Sequence, residues 1–423
     1  MLIEFSVGNY KSFKDVVTFT MVAANLTSKN KELDITNIFH YKKSINLLKS
    51  AAVYGANASG KSNFIDAFRF MQFFTMNSSK ESQITEDIKV ENYLLSTETE
   101  SKPSFFEIIF AIGDTRYRYG FELDRNKVFS EWLYRAKERE VVLFYREDEK
   151  IEIRNTFSEG KGLETKTRPN ALFLSVCAQF NGEIATEILK WIHNCGVISG
   201  LEDMGYRPYT VQQIEKNDCK DTILTFIREF DLGISDIRVK RRALTDDNLP
   251  KQLPEKLRKI LIDDGVDTTS VLTSHRKYNK ENEYTEDIEF NLDSNESDGT
   301  RKAFAFSGPL LDVLKNGYTL FVDELDARFH PIMTKVIIHM FHDKNTNPKN
   351  AQLIFATHDT NLLDNKFFRR DQIWFAEKNR YGATDLYSLS DFKVRNDASF
   401  EKDYISGKYG GIPFLGGIKN LEI

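Results

Sequence analysis

The eight residues 55–62, GANASGKS, match the pattern G-x-x-x-x-G-K-[ST] at every specified position. An apolar stretch at 48–55 leads into them, and residues 61–76 follow with apolar side chains at helical spacing. This order of strand, glycine loop and helix constrains the fold because it wraps backbone N–H groups around phosphate oxygens. An ordinary glycine turn at a helix start would not require the complete pattern. The sequence therefore predicts a phosphate-binding loop.

Individual residues of this loop have distinct chemical tasks. Lys61 is expected to reach the β- and γ-phosphates of a nucleoside triphosphate, which makes it a catalytic candidate as well as a binding residue. Ser62 is expected to be a ligand of Mg²⁺. We therefore expect ATP and Mg²⁺ at this site. The candidate nucleotide-binding residues are Gly55, Ala56, Asn57, Ala58, Ser59, Gly60, Lys61, Ser62 and Asn63.

A second feature is an apolar strand that ends in two acids, residues 319–324, TLFVDE. A buried parallel strand explains the apolar residues but not the adjacent carboxylates at its end. In a phosphate-loop enzyme the first acid, Asp323, holds Mg²⁺, and the second, Glu324, is placed to act as a general base toward water. Asp326, two residues later, is equally well explained as a helix-start residue.

The next apolar strand, residues 352–356, is followed by Thr357, His358 and Asp359. The carboxyl ends of parallel strands gather at the ligand edge of a doubly wound sheet. This position favours His358 as a catalytic residue that contacts the γ-phosphate or the attacking water. A purely structural histidine is the alternative.

Short apolar strands alternate with helices after residue 298, which favours a mostly parallel α/β sheet flanked by helices. Strand patterns earlier in the chain predict an antiparallel β part, and 171–176 is a further strand candidate. Helix patterns at 183–193, 208–230 and 251–263, together with a basic strand at 236–242, predict an inserted, mainly helical lobe. We expect three parts: an N-terminal half of the ATP-binding domain with the phosphate loop and a β subdomain (1–180), the lobe (181–290), and a C-terminal half of the ATP-binding domain (291–423).

Composition limits the class of protein. The formal net charge of the 423 residues is -5, which excludes a grossly basic nucleic-acid coat but not a local basic groove. Three cysteines, Cys177, Cys195 and Cys219, form no C-x-x-C pair, so we expect reduced thiols and no zinc site. The N-terminus has no signal-peptide pattern, and no apolar run approaches about eighteen residues. We therefore expect a cytoplasmic protein without a membrane segment.

The motifs in this order resemble the ABC-type ATPase head shared by SMC, RecF and transporter ATPases. The resemblance implies a fold of that type and a role for Ser297-Asp298-Gly299-Thr300, which occupies the place of the signature motif L-S-G-G-Q. Ser297 and Gly299 match, whereas Asp298 and Thr300 depart from the pattern. In this class the signature meets the γ-phosphate of ATP held by a second subunit. Ser297, Gly299 and Thr300 are thus candidate nucleotide contacts in a dimer or larger homo-oligomer.

Two further sites follow from the same resemblance. Residues 9–13, NYKSF, resemble the N-F-[KR]-S loop of SMC-like heads, where the basic residue approaches phosphate, so Lys11 is a candidate contact. Gln179 follows a predicted strand where such heads carry a glutamine that senses the metal and the water. An exposed turn lysine and a surface glutamine are the alternatives.

The segments ESDGTRK, DELDARFHP, QLIFATHDTNLLD, RRDQIWFAEK and GKYGGIPF resemble more closely the AAA-type ATPases of bacterial abortive-infection systems, near the AbiL/RloA and PARIS AriA proteins. This resemblance covers about 1–76 and 290–415 and fades across 180–290. It implies a regulatory ATPase that acts in defence against phage and controls an effector protein, a toxin or nuclease, encoded nearby.

Three other functions compete with this interpretation. A DNA-repair clamp of the SMC/RecF kind would use a basic groove, and the run 238–242, RVKRR, is the candidate. A solvated face explains this run better, because no aromatic residues accompany it. A scaffold that binds ATP without turnover is the second alternative, and Glu324 argues against it. A transporter ATPase fits least, since no membrane span is present and the stretch from Lys61 to Ser297 is long.

Overall fold

The computed structural model describes residues 1–42, 45–80, 86–216, 219–230, 233–243, 245, 253–263, 267–395 and 398–413. The chain folds into two compact units. The first unit comprises residues 1–199 and 313–423, and the second comprises residues 200–312.

The strands in chain order are β1 Leu2–Gly8, β2 Val17–Thr20, β3 Ile38–Lys42, β4 Ile45–Leu48, β5 Ser50–Tyr54, β6 Ser104–Ile112, β7 Thr115–Leu123, β8 Val128–Ala136, β9 Glu140–Glu147, β10 Lys150–Ile153, β11 Gly196–Ser199, β12 Ile234–Ala243, β13 Asp267–Tyr278, β14 Tyr284–Asn291, β15 Thr319–Asp323, β16 Gln352–Ala356, β17 Ile373–Lys378 and β18 Thr384–Ser388. The α-helices are α1 Leu33–Thr36, α2 Lys61–Asn77, α3 Phe173–Gln179, α4 Glu183–His193, α5 Arg207–Glu215, α6 Lys220–Glu229, α7 Glu255–Asp263, α8 Leu292–Asn295, α9 Asp298–Asn316, α10 Pro331–His342 and α11 Phe400–Ile405.

A six-stranded sheet in the first unit has the order β11-β15-β16-β5-β17-β18. All neighbours pair in parallel except β17 and β18, which form an antiparallel hairpin. The mostly parallel sheet predicted from the alternation of strands and helices is thus confirmed. Because β15, β16 and β5 are neighbours, the segments that follow their carboxyl ends meet at one edge of the sheet.

The first unit also contains a seven-stranded antiparallel sheet with the order β10-β9-β8-β7-β6-β1-β2. Buried and partly exposed residues alternate along most of β6, so that one face of the strand is buried. This sheet is the antiparallel β part that the sequence predicted.

Helix α2 packs between these two sheets. Phe64 and Phe68 on the helix contact Phe5 of the antiparallel sheet, with ring centroids 5.7 and 5.4 Å apart. On the other side, Phe68 stacks on Phe321 of the parallel sheet at 4.0 Å. Aromatic side chains bury large areas and favour tilted or offset contacts of this kind. The helix that follows the phosphate loop is therefore held from both sides.

The predicted strand at 171–176 is wrong, since residues 173–179 form helix α3. The buried Glu131 carboxylate accepts hydrogen bonds from the backbone N–H groups of Phe173 and Leu174, at 2.6 and 3.0 Å. These contacts satisfy donors at the helix start that have no partner within the helix. Glu131, some forty residues earlier in the chain, thus stabilises a helix in a run whose apolar pattern fits both a helix and a strand.

The second unit differs from the mainly helical lobe that the sequence suggested. Alongside α5, α6 and α7 it contains the three-stranded antiparallel sheet β12-β13-β14. Most side chains of β14 are exposed, so this strand lacks the apolar alternation that marks a half-buried strand. No helix in the described part of the chain is long and apolar enough to cross a membrane.

Candidate functional site

The phosphate loop connects β5 to α2 and requires glycine at both ends. Gly60 has a φ of 110°, a conformation that glycine adopts without the steric cost that other residues meet. A Cβ atom there would also collide with Thr384. A Cβ atom at Gly55 would collide with the carbonyl oxygen of Ala376. The loop is thus packed closely against β17 and β18.

Two hydroxyl residues hold the loop in place. The Thr384 hydroxyl donates to the Ser59 carbonyl oxygen at 2.7 Å and lies 2.9 Å from the Ser12 hydroxyl. The Asn63 amide donates to the Ser12 hydroxyl at 2.7 Å, and the Thr384 N–H donates to the Ser12 carbonyl at 2.7 Å. Sequence reasoning missed both positioning residues, because neither one belongs to the phosphate-loop pattern.

Lys61 is buried at the first turn of α2 and folds back over the loop. Its ammonium group donates to the carbonyl oxygens of Gly55 and Ala56 at 2.8 and 3.0 Å. Burial lowers the pKa of Lys61 to about 8, and the acids Asp323 and Glu324 partly oppose this shift. The amine is therefore only partly protonated at pH 8 until an anion joins it.

Asp323, at the end of β15, fits the role of a metal ligand. Burial raises the pKa of its carboxyl, while a hydrogen bond from the Ser62 side chain lowers it. Its buried Oδ1 atom has no hydrogen-bond partner among the residues that the structure describes. A buried carboxylate oxygen without a partner is costly. An oxygen-seeking cation such as Mg²⁺, held by Ser62 and Asp323, would satisfy this oxygen, so these residues fit the metal.

A cavity of about 520 Å³ opens above the phosphate loop. Its lining includes Lys61, Ser62, Glu324, His358 and Lys378. The structure thus brings both catalytic candidates from the strand ends to the loop, as the sequence predicted. Lys378, which closes β17, was not predicted, because a lone lysine at a strand end carries no pattern.

The backbone conformation of Glu324 and the pKa of His358 bear on the chemistry of the site. Glu324 has a φ of 53°, which is uncommon for a residue other than glycine and is typical of functional sites. Burial and the nearby Lys61 lower the pKa of His358. The imidazole is therefore neutral at neutral pH, with one nitrogen that donates and one that accepts.

The structure does not bring Lys11 to this cavity. Its ammonium pairs with Asp66 of α2 at 2.9 Å, and Lys11 lines a separate groove with Tyr10 and Phe73. Ser12, the next residue, contacts the loop instead. Gln179 is exposed and ends helix α3, so it does not follow the strand on which its predicted metal role rested.

The signature-like segment begins helix α9. The Ser297 hydroxyl accepts a hydrogen bond from the Thr300 N–H at 3.1 Å, which is the geometry of a helix N-cap. Ser297 is exposed, Gly299 is partly exposed, and Thr300 is buried. Arg301 pairs with Asp298 and donates to the carbonyl oxygens of Asp293 and Glu296. The segment thus presents an ordered helix start to solvent.

The fold and the site together define a class of protein. A phosphate loop after β5, an acid pair after β15 and a histidine after β16 meet at one edge of a mostly parallel sheet. This arrangement is that of a P-loop nucleoside triphosphatase fold of the ABC-ATPase head type.

The comparison with protein families specifies the class further. Residues 50–364 match the family model described as "AAA domain, putative AbiEii toxin, Type IV TA system". The match spans more than half of the chain, so the protein belongs to this family. A comparison with curated proteins finds no match.

Solved structures with similar folds are distant. The SMC head domain from Thermotoga maritima is 12% identical, with 93% of this chain and 99% of that chain covered and a TM-score of 0.38. The recombination mediator protein RecF with ATP, in the RecFOR pathway, is 15% identical, with coverages of 92% and 99% and a TM-score of 0.39.

The lowered pKa of Lys61 predicts that nucleotide binding takes up protons. A bound phosphate favours the charged amine, so affinity is fully present below pH 8 and falls as the pH rises through 8. At pH 8, MgATP binding should be accompanied by uptake of roughly half a proton, and at pH 7 by about one tenth. Isothermal titration calorimetry in buffers of different ionisation enthalpy measures this uptake. Equal proton uptake at pH 7 and at pH 8 would contradict the lowered pKa of Lys61.

Proposed function

We propose that the protein is a Mg²⁺-dependent ATPase that hydrolyses ATP by attack of water on the γ-phosphate. The observation that carries the proposal is the meeting of Lys61, Ser62, Glu324 and His358 at the cavity above the phosphate loop, with the Asp323 side chain hydrogen-bonded to Ser62. Cationic, metal-binding, basic and hydrogen-bonding groups are the set that phosphoryl transfer to water requires.

Each residue has a task that its position supports. Lys61 and the backbone N–H groups at the start of α2 bind the β- and γ-phosphate oxygens. Ser62 and Asp323 would hold Mg²⁺, which would supply positive charge to offset the negative charge on the phosphate oxygens. Glu324 orients a water molecule and accepts its proton as the water oxygen bonds to the γ-phosphorus. The bond from that phosphorus to the bridging oxygen breaks, and ADP leaves. Neutral His358 hydrogen-bonds the water or the γ-phosphate.

Replacement of Glu324 by Gln tests the chemical step. The variant should bind ATP with nearly unchanged affinity but hydrolyse it roughly a hundredfold more slowly, the size typical for loss of a general base. Phosphate release and equilibrium binding measure the two effects, and Lys61→Ala, which should lose binding, is the reference for an empty site. Unchanged turnover would remove Glu324 from the mechanism. Wild-type protein without turnover would support a scaffold that only binds ATP.

We further propose that two copies of the chain assemble around ATP, as a homodimer or a larger assembly. The exposed, capped start of α9 offers backbone N–H groups to a phosphate, as the start of α2 also does. Two such helix starts serve one triphosphate if each subunit supplies one of them. A two-fold dimer achieves this with a single self-complementary surface.

Two inactive variants test this arrangement when they are mixed. Ser297→Arg should keep ATP binding but lose hydrolysis, and Lys61→Ala should lose binding. Each mixed dimer has one doubly altered site and one intact site, so a one-to-one mixture should regain about a quarter of wild-type activity if subunits exchange freely. Activity that stays at zero, although mixed dimers are shown to form, would contradict a shared site.

The family to which the chain belongs supports a regulatory role in a toxin–antitoxin or abortive-infection system. We propose that the nucleotide state holds or releases an effector protein, a toxin or nuclease encoded nearby, in the cytoplasm during phage infection. Nucleic acid is a less favoured partner, because three of the four basic residues of β12 are paired. Arg238 and Lys240 contact Glu289, and Arg241 contacts Glu215. These pairs offset much of the positive charge of β12, which is typical of a solvated face.

Effector control predicts a partner whose retention depends on nucleotide. With ATP present, the Glu324→Gln variant should remain bound to ATP, whereas the Lys61→Ala variant should remain free of nucleotide. The product of an adjacent gene, co-expressed with each variant, should therefore co-purify to clearly different extents with the two. Equal co-purification with the two variants would show that ATP does not control the partner. Co-purification with neither variant would contradict the effector proposal.

A further inference from the structure

Lys378 is a second lysine at the nucleotide cavity, besides Lys61. It ends β17 and lines the same cavity as Glu324 and His358. Its side chain is exposed, and it forms no ion pair or hydrogen bond with residues that the structure describes. Lys61, in contrast, is held by the carbonyl oxygens of Gly55 and Ala56. A free ammonium group thus faces a cavity built for phosphate.

The strand register explains why Lys378 faces the phosphate loop. Lys378 pairs with Thr384 across the β17–β18 hairpin, and paired residues on antiparallel strands project from the same face. The Thr384 side chain contacts the Ser59 carbonyl oxygen of the loop at 2.7 Å. Gly55, at the other end of the loop, packs against Ala376, two residues before Lys378. The hairpin that fixes the loop therefore also fixes this lysine.

The order of strands determines which end of the nucleotide Lys378 can reach. β15 and β16, which carry Asp323, Glu324 and His358 at their carboxyl ends, lie on one side of β5. β17, with Lys378 at its carboxyl end, lies on the other side. Adjacent strands are about 4.8 Å apart, so Lys378 originates about 10 Å or more from the strands that hold the hydrolytic residues.

We propose that Lys378 binds the α- and β-phosphates of the nucleotide, on the side of the loop opposite the water that attacks the γ-phosphate. The inference rests on the proposed function, since it requires a nucleotide in the cavity. Lys378 is then a binding residue for ATP and for ADP alike, and it takes no part in the chemical step. Interactions of this kind, equally strong before and during the reaction, lower KM without raising kcat.

Equilibrium binding of ATP and of ADP to the full-length protein with Mg²⁺ tests the proposal. A charge-assisted contact to phosphate at a partly exposed site predicts that Lys378→Ala weakens both nucleotides by about tenfold. Lys378→Arg keeps the positive charge and should retain affinity within about threefold of wild type. The kcat of Lys378→Ala at saturating ATP should stay within about twofold of wild type.

Lys366→Ala is the matched control, because it removes an exposed lysine of the same unit that does not line the cavity. Its nucleotide affinities should equal those of the wild type. Unchanged affinity in Lys378→Ala would overturn the inference and leave the proposed function standing. Weakened ATP binding with unchanged ADP binding would indicate that Lys378 contacts the γ-phosphate, which would also overturn the inference. Wild-type protein that binds neither nucleotide would overturn the proposed function together with the inference.

Discussion

The packing of helix α2 between two sheets is the constraint on which the rest of the structure depends. Phenylalanines of the helix contact the antiparallel sheet on one side and the parallel sheet on the other. Close packing of this kind leaves little freedom for the helix to shift. The first turn of α2 carries Lys61 and Ser62, so the aromatic contacts also set the position of the phosphate-binding groups. The many phenylalanines of the chain thus serve the site as well as the core.

The hairpin β17–β18 completes this arrangement from the opposite side of β5. Thr384 ties the loop to the hairpin, and Ser12 ties it to the segment that follows β1. The parallel sheet then places the hydrolytic residues at the ends of β15 and β16 and leaves Lys378 at the end of β17. The residues proposed for hydrolysis and the lysine proposed for nucleotide binding therefore lie at the same edge of the sheet, on opposite sides of β5.

Contiguous patterns in the sequence were enough to predict which residues meet at the core of the candidate site. The loop at 55–62, the acids Asp323 and Glu324, and His358 each follow a recognisable apolar strand, and parallel strands bring such positions together. Residues that act only through distant contacts left no such pattern. Thr384 and Ser12 are 372 positions apart in the chain yet in contact. Lys378 reaches the cavity only because of its register with Thr384.

The errors in the predicted secondary structure have similar causes. The run at 171–176 is apolar without a clear helix or strand period. Hydrogen bonds from its backbone to the Glu131 carboxylate stabilise it as a helix. Strand β14 of the second unit is largely solvated, so its sequence shows no buried face. Local propensity is a weak signal when a tertiary contact or two-sided exposure decides the structure.

Hydrolysis of ATP in water enriched in ¹⁸O tests the central claim most directly, because it reports which bond breaks and where the oxygen from water goes. Purified wild-type protein with Mg²⁺ should release inorganic phosphate that contains one oxygen from the solvent, while the ADP contains none. The label would then show attack of water on the γ-phosphorus, and slower phosphate release by Lys61→Ala would assign the reaction to the phosphate-loop site. Label in the ADP, or phosphate release no faster than that of Lys61→Ala, would contradict the account.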